Sequence, residues 1–179
     1  MIYSYYPGCT LKDRAKQLDI YARASAKALG IELEELPEWQ CCGAVYPQAS
    51  DEIASRLSAV RALMNAEEGK LVTMCSACHH VIKRTNYDWN NDSNFREHAT
   101  NYMQPEVPYD GSTQVLHFLE VLRDEIGFDE LKKKVVNPLK GRKVGAFYGC
   151  MVLRPGKVLA FDAPENPSII EDFIRALGA

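Results

Sequence analysis

The sequence lacks the features that mark membrane-spanning, secreted and nucleic-acid-binding proteins. Its longest apolar run, Val144 to Leu153, is far too short to cross a bilayer. The first residues contain neither the basic segment nor the apolar stretch of a secretory signal. A net charge of -3 provides no basic surface for nucleic acid. We therefore expect a cytoplasmic protein without a transmembrane segment and without a nucleic-acid partner.

The residues that are present fit an ordinary folded domain. The chain has 179 residues, of which 46% are hydrophobic and 25% are charged, so it can bury a core. It also contains six cysteines. Because cytosolic thiols are kept reduced, these cysteines are better interpreted as metal ligands or catalytic groups than as disulfides.

Short apolar strands alternate with amphipathic helices in the first half of the chain. The predicted strands cover 1–6, 31–36 and 70–74. The predicted helices cover 12–29, the stretch between Ser50 and Gly69, and residues from Cys78 through Ile82. The first helix is expected to bury Leu18, Tyr21, Ala22, Ser25 and Leu29. This alternation predicts an α/β fold with a mostly parallel sheet flanked by helices.

The second half is less regular. Residues 88–114 are polar and rich in turn formers, which predicts irregular structure that includes one short helix. Spaced apolar residues predict a helix over 115–126, and an apolar run predicts a strand at Lys143 to Tyr148. A last helix is predicted after a capping box formed by Ser168 and Glu171.

Every cysteine follows a predicted strand or lies in the loop after one. The first five are spaced C-x31-CC-x32-C-x2-C, at Cys9, Cys41, Cys42, Cys75 and Cys78. Ligands of parallel sheets bind outside the carboxyl ends of the strands. The five thiols are therefore expected to meet at that edge of the sheet.

Several kinds of chemistry are open to this cysteine set. A single cysteine is often just a small buried hydrophobe, but five in this arrangement argue against simple packing. A structural zinc ion or an ordinary cubane cluster uses four thiolates and leaves one over. A redox dithiol at Cys75-Ser76-Ala77-Cys78 leaves three unexplained. An adjacent pair does not easily place both sulfurs on one tetrahedral ion, but it can bridge neighbouring irons of a larger cluster.

The motif formed by Cys9, Cys41-Cys42-Gly43 and Cys75-x-x-Cys78 resembles the cysteine-rich CCG motif of the B subunit of heterodisulfide reductase and its relatives. The resemblance covers nearly the whole chain. It implies a non-cubane 4Fe-4S cluster, in which two smaller clusters share an iron. Its cofactor-binding ligands would be Cys9, Cys41, Cys42, Cys75 and Cys78.

The same resemblance implies an oxidoreductase of anaerobic electron transfer. The protein would reduce a disulfide, such as CoM-S-S-CoB or an analogue, to two thiols, with the substrate at the cluster irons. Its partners would be the ferredoxin-like and the flavin-containing subunits of heterodisulfide reductase. Two other functions stay open: a non-catalytic zinc-binding CCG module for assembly or docking, and a thiol–disulfide protein that uses the CxxC pair.

Cys150 repeats the ending of the first strand, because Tyr148-Gly149-Cys150 echoes Tyr6-Pro7-Gly8-Cys9. The resembling family has two cysteine motifs, which makes Cys150 the first ligand of an incomplete second cluster. We expect residues 1–140 to form the first CCG half. Residues 141–179 would begin a second half, truncated before its vicinal cysteine pair, so this chain alone is expected to be inactive.

Three residues near the cysteines in sequence are predicted to have supporting roles. His79 and His80 follow Cys78 directly. With five thiolates present, we expect both to be solvated or to support the ligands, not to bind metal. Trp39 is expected to pack in the core. Met151 departs from the family pattern, since methanogen members often carry His after this cysteine.

Overall fold

A four-stranded parallel sheet organises the part of the chain that this computed structural model describes, residues 1–44 and 49–179. Its strands are β1 (Ile2–Tyr6), β2 (Glu32–Glu35), β3 (Lys70–Thr73) and β4 (Gln114–His117). Their order across the sheet is β2-β1-β3-β4, and every neighbouring pair is parallel. The α/β fold with a parallel sheet flanked by helices is therefore confirmed.

Helices fill the connections between the strands. Those before β4 are α1 (Gly8–Lys12), α2 (Lys16–Ala28), a 3-10 turn (Ala54–Arg56), α3 (Leu57–Met64), α4 (Ser76–Asn91) and α5 (Ser93–Met103). Those after it are α6 (Phe118–Glu120), a π-helical segment (Val121–Ile126), α7 (Phe128–Lys133), α8 (Cys150–Leu153), α9 (Gly156–Leu159) and α10 (Ile169–Ala176). None of the helices in the described residues combines the length and apolar character needed to span a bilayer.

The two central strands carry the core on both faces of the sheet. Tyr6 and Leu71 belong to a buried cluster with residues of α3, α4 and α5. Tyr3 and Val72 face the opposite cluster, which includes residues of α2 and the π-helical segment. This alternation follows from the two-residue period of a strand, and both faces of the two strands are buried in their central part.

Two predictions for residues 88–126 are wrong. The stretch 88–114 is mostly helical, because α4 continues to Asn91 and α5 follows at once. Asp92 begins α5 by accepting hydrogen bonds from two backbone N–H groups, an N-cap that also marks the break between the helices. The predicted helix over 115–126 starts instead as strand β4, which pairs with β3. Only its second part, after His117, is helical.

Three predictions for single elements also differ from the structure. On α2, Leu18, Tyr21 and Ser25 are exposed, and the small residues Ala22 and Ala26 face the core. Residues 143–149 are not part of the sheet. Helix α10 is present, but its predicted capping box is not: the carboxylate of Asp162 accepts the N–H groups of residues 168 and 169 instead. The division into halves 1–140 and 141–179 stays a prediction.

Glu120 joins α4 to the carboxyl end of β4. Its buried carboxylate accepts the backbone N–H of His117 at 2.7 Å and pairs with the Lys83 ammonium of α4 at 3.0 Å. The His117 ring in turn accepts the N–H of Leu119, which completes a reciprocal cap. This network fixes α4, the helix that carries two of the cysteines, to the edge of the sheet.

We predict that Glu120→Ala lowers the free energy of unfolding by about 3 kcal/mol, because it leaves Lys83 and a buried N–H group without their acceptor. Glu125→Ala is the matched control. Its carboxylate pairs with Lys70 at a partly exposed position, so the loss should stay below about 1 kcal/mol. Urea unfolding followed by circular dichroism measures both variants. Equal losses would show that the Glu120 network does not hold the fold.

Candidate metal centre

Five cysteines meet at the carboxyl edge of the sheet. Cys9 lies in α1, directly after β1, and Cys41 and Cys42 lie in the segment after β2. Cys75 is the N-cap of α4, directly after β3, and Cys78 lies in the first turn of that helix. Since these three strands are neighbours, their ends bring all five thiols to one place.

The sulfur atoms form two close pairs. Cys9 Sγ is 3.6 Å from Cys41 Sγ, and Cys42 Sγ is 3.5 Å from Cys78 Sγ. Gly8, the neighbour of Cys9, lies against Cys78, because a Cβ atom built on Gly8 would be 2.7 Å from Cys78 Sγ. The backbone next to the first pair therefore touches the second pair. The φ of +75° at Gly8 also favours glycine. The segment after β2 therefore contacts both α1 and α4 through sulfur.

The site has an open side and a closed side. Cys9 and Cys41 are exposed, whereas Cys42 and Cys78 are only 3% and 4% exposed. Cys75 is intermediate. The thiols of the open side can meet a molecule from solution, and those of the closed side are shielded by the core.

Two side chains hold the segment that precedes the adjacent cysteines. The Tyr6 hydroxyl donates to the Gln40 carbonyl, and its ring packs edge-on against Trp39. Trp39 Nε1 donates to Glu35 at 3.1 Å, and Lys12 of α1 binds the same carboxylate at 2.6 Å. Core packing of Trp39 is confirmed. The sequence analysis missed Tyr6 and Glu35, whose only signal is their position at the ends of β1 and β2.

The buried hydrogen bonds favour the thiolate form of Cys75 and Cys42. A hydrogen bond from the Cys78 side chain lowers the pKa of Cys75 to about 6. The backbone N–H groups of Ala77 and Cys78 act in the same direction, and burial acts against them. The side chain of Cys78 also lowers the pKa of Cys42 to about 7. Both hydrogen bonds, together with burial, raise the pKa of Cys78 itself. Thiolates are the form of cysteine that binds metals.

This donor set has the chemistry of a metal or iron–sulfur site. Iron–sulfur clusters are held by cysteine thiolates, and five thiols surround one locus here. Within residues 1–44 and 49–179, no three His, Cys, Asp or Glu side chains are grouped so that they could hold one metal ion. The two sulfur pairs differ in exposure, since Cys9 and Cys41 are exposed and Cys42 and Cys78 are buried.

The two histidines after Cys78 have different surroundings. His79 is fully buried and packs against the rings of His117 and Phe161, so solvation is the wrong description for it. Burial lowers its pKa well below the usual range, which keeps the ring neutral. His80 Nδ1 lies 2.9 Å from the Met151 carbonyl oxygen. His80 therefore contacts the turn that contains the sixth cysteine.

Cys150 begins α8, which packs against α4, the helix of Cys75 and Cys78. Its side chain is exposed. The structure thus places the sixth cysteine on an element adjoining the main site. Its role as the first ligand of a second cluster stays a prediction.

We predict that Cys75 of the metal-free chain reacts with iodoacetamide with a pH midpoint of about 6. Because this pKa is below its unfolded value, the thiolate contributes stability at high pH, and that stability is lost as the pH falls through about 6. Cys78→Ala should raise the midpoint, and Cys150→Ala should leave it unchanged. Peptide-resolved alkylation rates measure it. A midpoint near the ordinary value of about 8.5 would contradict the hydrogen-bonded geometry.

Residues 3–83 match a family model described as Cysteine-rich domain, CCG, and that segment contains all five clustered thiols. The 8-methylmenaquinol:fumarate reductase membrane anchor subunit of Wolinella succinogenes is 35% identical over 180 residues, covering 99% of this chain and 62% of that protein. The B subunit of the ferredoxin/F(420)H(2)-dependent CoB-CoM heterodisulfide reductase of Methanosarcina acetivorans is 25% identical over 181 residues, covering 98% and 60%.

A further relative, from Archaeoglobus profundus, is described as like the B subunit of heterodisulfide reductase. It is 25% identical over 183 residues, covering 99% of this chain and 61% of that protein. The chain therefore spans about three fifths of the length of the curated relatives it matches. The part of the chain that gathers the five thiols at the sheet edge thus matches the cysteine-rich CCG domain, and the chain is similar to the B subunit of heterodisulfide reductase.

Proposed function

We propose that this chain is the cluster-binding part of a heterodisulfide reductase-type oxidoreductase subunit. The convergence of five thiols from three neighbouring strand ends carries the proposal. The ligands of the non-cubane 4Fe-4S cluster are Cys9, Cys41, Cys42, Cys75 and Cys78. The substrate is a disulfide that becomes two thiols. The partners are a ferredoxin-like subunit and a flavin-containing subunit, by analogy with the resembling family.

Each side of the site has a separate task in this proposal. The cluster, when bound, supplies single electrons and iron atoms with affinity for sulfur. Buried Tyr6 and half-buried Trp39 keep water from the closed side. The N-terminus of α4 directs backbone N–H groups and positive dipole toward negative charge at the thiols. The disulfide approaches from the open side, beside exposed Cys9 and Cys41.

We predict that Cys42→Ser lowers bound iron at least about twofold from about four atoms per chain and changes the visible spectrum, because one cluster ligand is lost. The fold should persist, since the central strands do not pass through that loop. Cys150→Ser is the matched control and should retain its iron. Anaerobic purification followed by iron, sulfide and zinc analysis measures both variants, with circular dichroism for the fold.

Other results of the same experiment would reject the cluster. Full zinc occupancy in both variants would favour the four-thiolate zinc module. A chain that holds no metal in any preparation, yet cycles a disulfide through Cys75 and Cys78, would favour the thiol–disulfide alternative.

A second candidate function is attachment of an oxidoreductase complex to a membrane surface. The relative from Wolinella succinogenes is named a membrane anchor subunit. On α2, the neighbours Ile20 and Tyr21 are 55% and 66% exposed, and Lys16 and Lys27 are exposed on the same side of the helix as Ile20. Apolar side chains flanked by lysines are typical of helices that lie in the membrane interface and bind anionic lipid.

We predict that the chain floats with phosphatidylglycerol vesicles and less with phosphatidylcholine vesicles. Ile20→Glu should weaken binding about tenfold or more, because burying one large apolar side chain contributes about 1.5–3 kcal/mol. Val136→Glu is the matched control, since Val136 is 87% exposed on another part of the chain. Flotation that is equal for both variants, or absent for the unaltered chain, would exclude this surface as a lipid contact.

A further inference from the structure

We infer that Cys9 and Cys41 form an exposed dithiol that closes to a disulfide by exchange with a small-molecule disulfide when no metal is bound. The inference rests on the proposed function in one respect, since both residues are also assigned there as cluster ligands. It adds a reaction of the metal-free site with a disulfide, which is also the chemical class of the proposed substrate. The inference is supported by the observation that these two thiols are close together and that both are exposed.

The geometry is close to what a disulfide requires. The Cys9 and Cys41 sulfurs are 3.6 Å apart, and a bonded pair lies at about 2.05 Å, so they must approach by about 1.5 Å. Cys9 lies in the short helix α1, and Cys41 lies in a segment without regular structure. Side-chain rotation and a small shift of that segment can supply such a movement without disturbing the sheet.

Exposure selects this pair over the other one. Cys42 and Cys78 are equally close, at 3.5 Å, but are nearly inaccessible. Exchange requires the attacking sulfur to reach the small disulfide in line, which a buried thiol cannot do. The sulfurs are therefore close together in both pairs, but only the pair of Cys9 and Cys41 is accessible from solution. Cys150 is accessible but lies on α8, beyond the strand ends that gather the other thiols.

The reaction balances with the small-molecule disulfide as its only oxidant. The thiolate of Cys9 attacks one sulfur of a disulfide RSSR, forming a mixed disulfide and releasing RS⁻. The thiolate of Cys41 then attacks the Cys9 sulfur of that mixed disulfide and releases the second RS⁻. Two protein thiols are oxidised by two electrons, RSSR is reduced, and the protons of the two cysteines yield two RSH.

Closure has a direct consequence for metal binding. The disulfide removes two of the five thiolates from the donor set, so the oxidised chain must be reduced before it can load iron. A bound metal group that uses both sulfurs blocks the exchange in turn. The exposed pair thus makes the state of the empty site depend on the surrounding ratio of disulfide to thiol.

The test uses the full chain, purified anaerobically without added metal and incubated with oxidised glutathione. Alkylation and peptide mass mapping should show that Cys9 and Cys41 are lost as free thiols and joined to each other, with no glutathione retained on either. Cys41→Ser should instead retain one glutathione on Cys9, because the second thiol is missing. Cys150→Ser is the matched control and should still form the bond.

A bond between Cys75 and Cys78 or between Cys42 and Cys78, or glutathione that stays on Cys9 or Cys41 of the unaltered chain, would overturn the inference. Iron loading separates it from the proposed function. The oxidised chain should bind less iron than the reduced chain, and dithiothreitol should restore it. If the bond forms and the reduced chain binds no iron, the proposed function fails alone. If iron binds and the bond does not form, this inference fails alone.

Discussion

The parallel pairing of β2, β1 and β3 is the constraint on which the site depends. Tyr5 of β1 pairs with Glu35 on one side and with Val72 on the other, so the three strands end at the same level. The residues that follow each strand are therefore delivered to one edge. Cys9 follows β1, the strand that lies between β2 and β3 in the sheet. No single loop contains the site, and the sheet assembles it.

The same edge combines shielding with access, and the proposed redox chemistry needs both. The core closes around the sulfurs nearest the sheet, where Cys42 and Cys78 are shielded by Tyr6 and its neighbours. The outer sulfurs stay open because α1 is a short helix at the surface. Shielding lowers the local dielectric and strengthens hydrogen bonds to thiolates. Access is then left to the outer pair, which is why chemistry with soluble disulfides is assigned there.

The site was predictable from sequence because its signals are local. Three short runs with strand-like patterns end in turn residues or cysteines, and the strands predicted at 1–6, 31–36 and 70–74 are confirmed within two residues. The second part of α4 and helix α5 were missed because tertiary contacts stabilise them. Trp89 and Phe95 pack together, and Arg56 from another helix binds Asp88 at 2.5 Å. Spacing alone also did not show which side of α2 faces the sheet.

Assembly of one site from distant segments determines how metal and disulfide compete. The thiols lie at positions 9, 41–42 and 75–78, so a bound metal must order three segments at once, and its binding energy stabilises the fold. A bond from Cys9 to Cys41 joins two of these segments by itself. It orders the site while removing two of its donors. The metal-bound state and the disulfide state therefore exclude each other, because both use the sulfurs of Cys9 and Cys41. Both states favour the same backbone arrangement. Conversion of the disulfide state to the metal-bound state thus requires reduction of one bond and no refolding of the sheet.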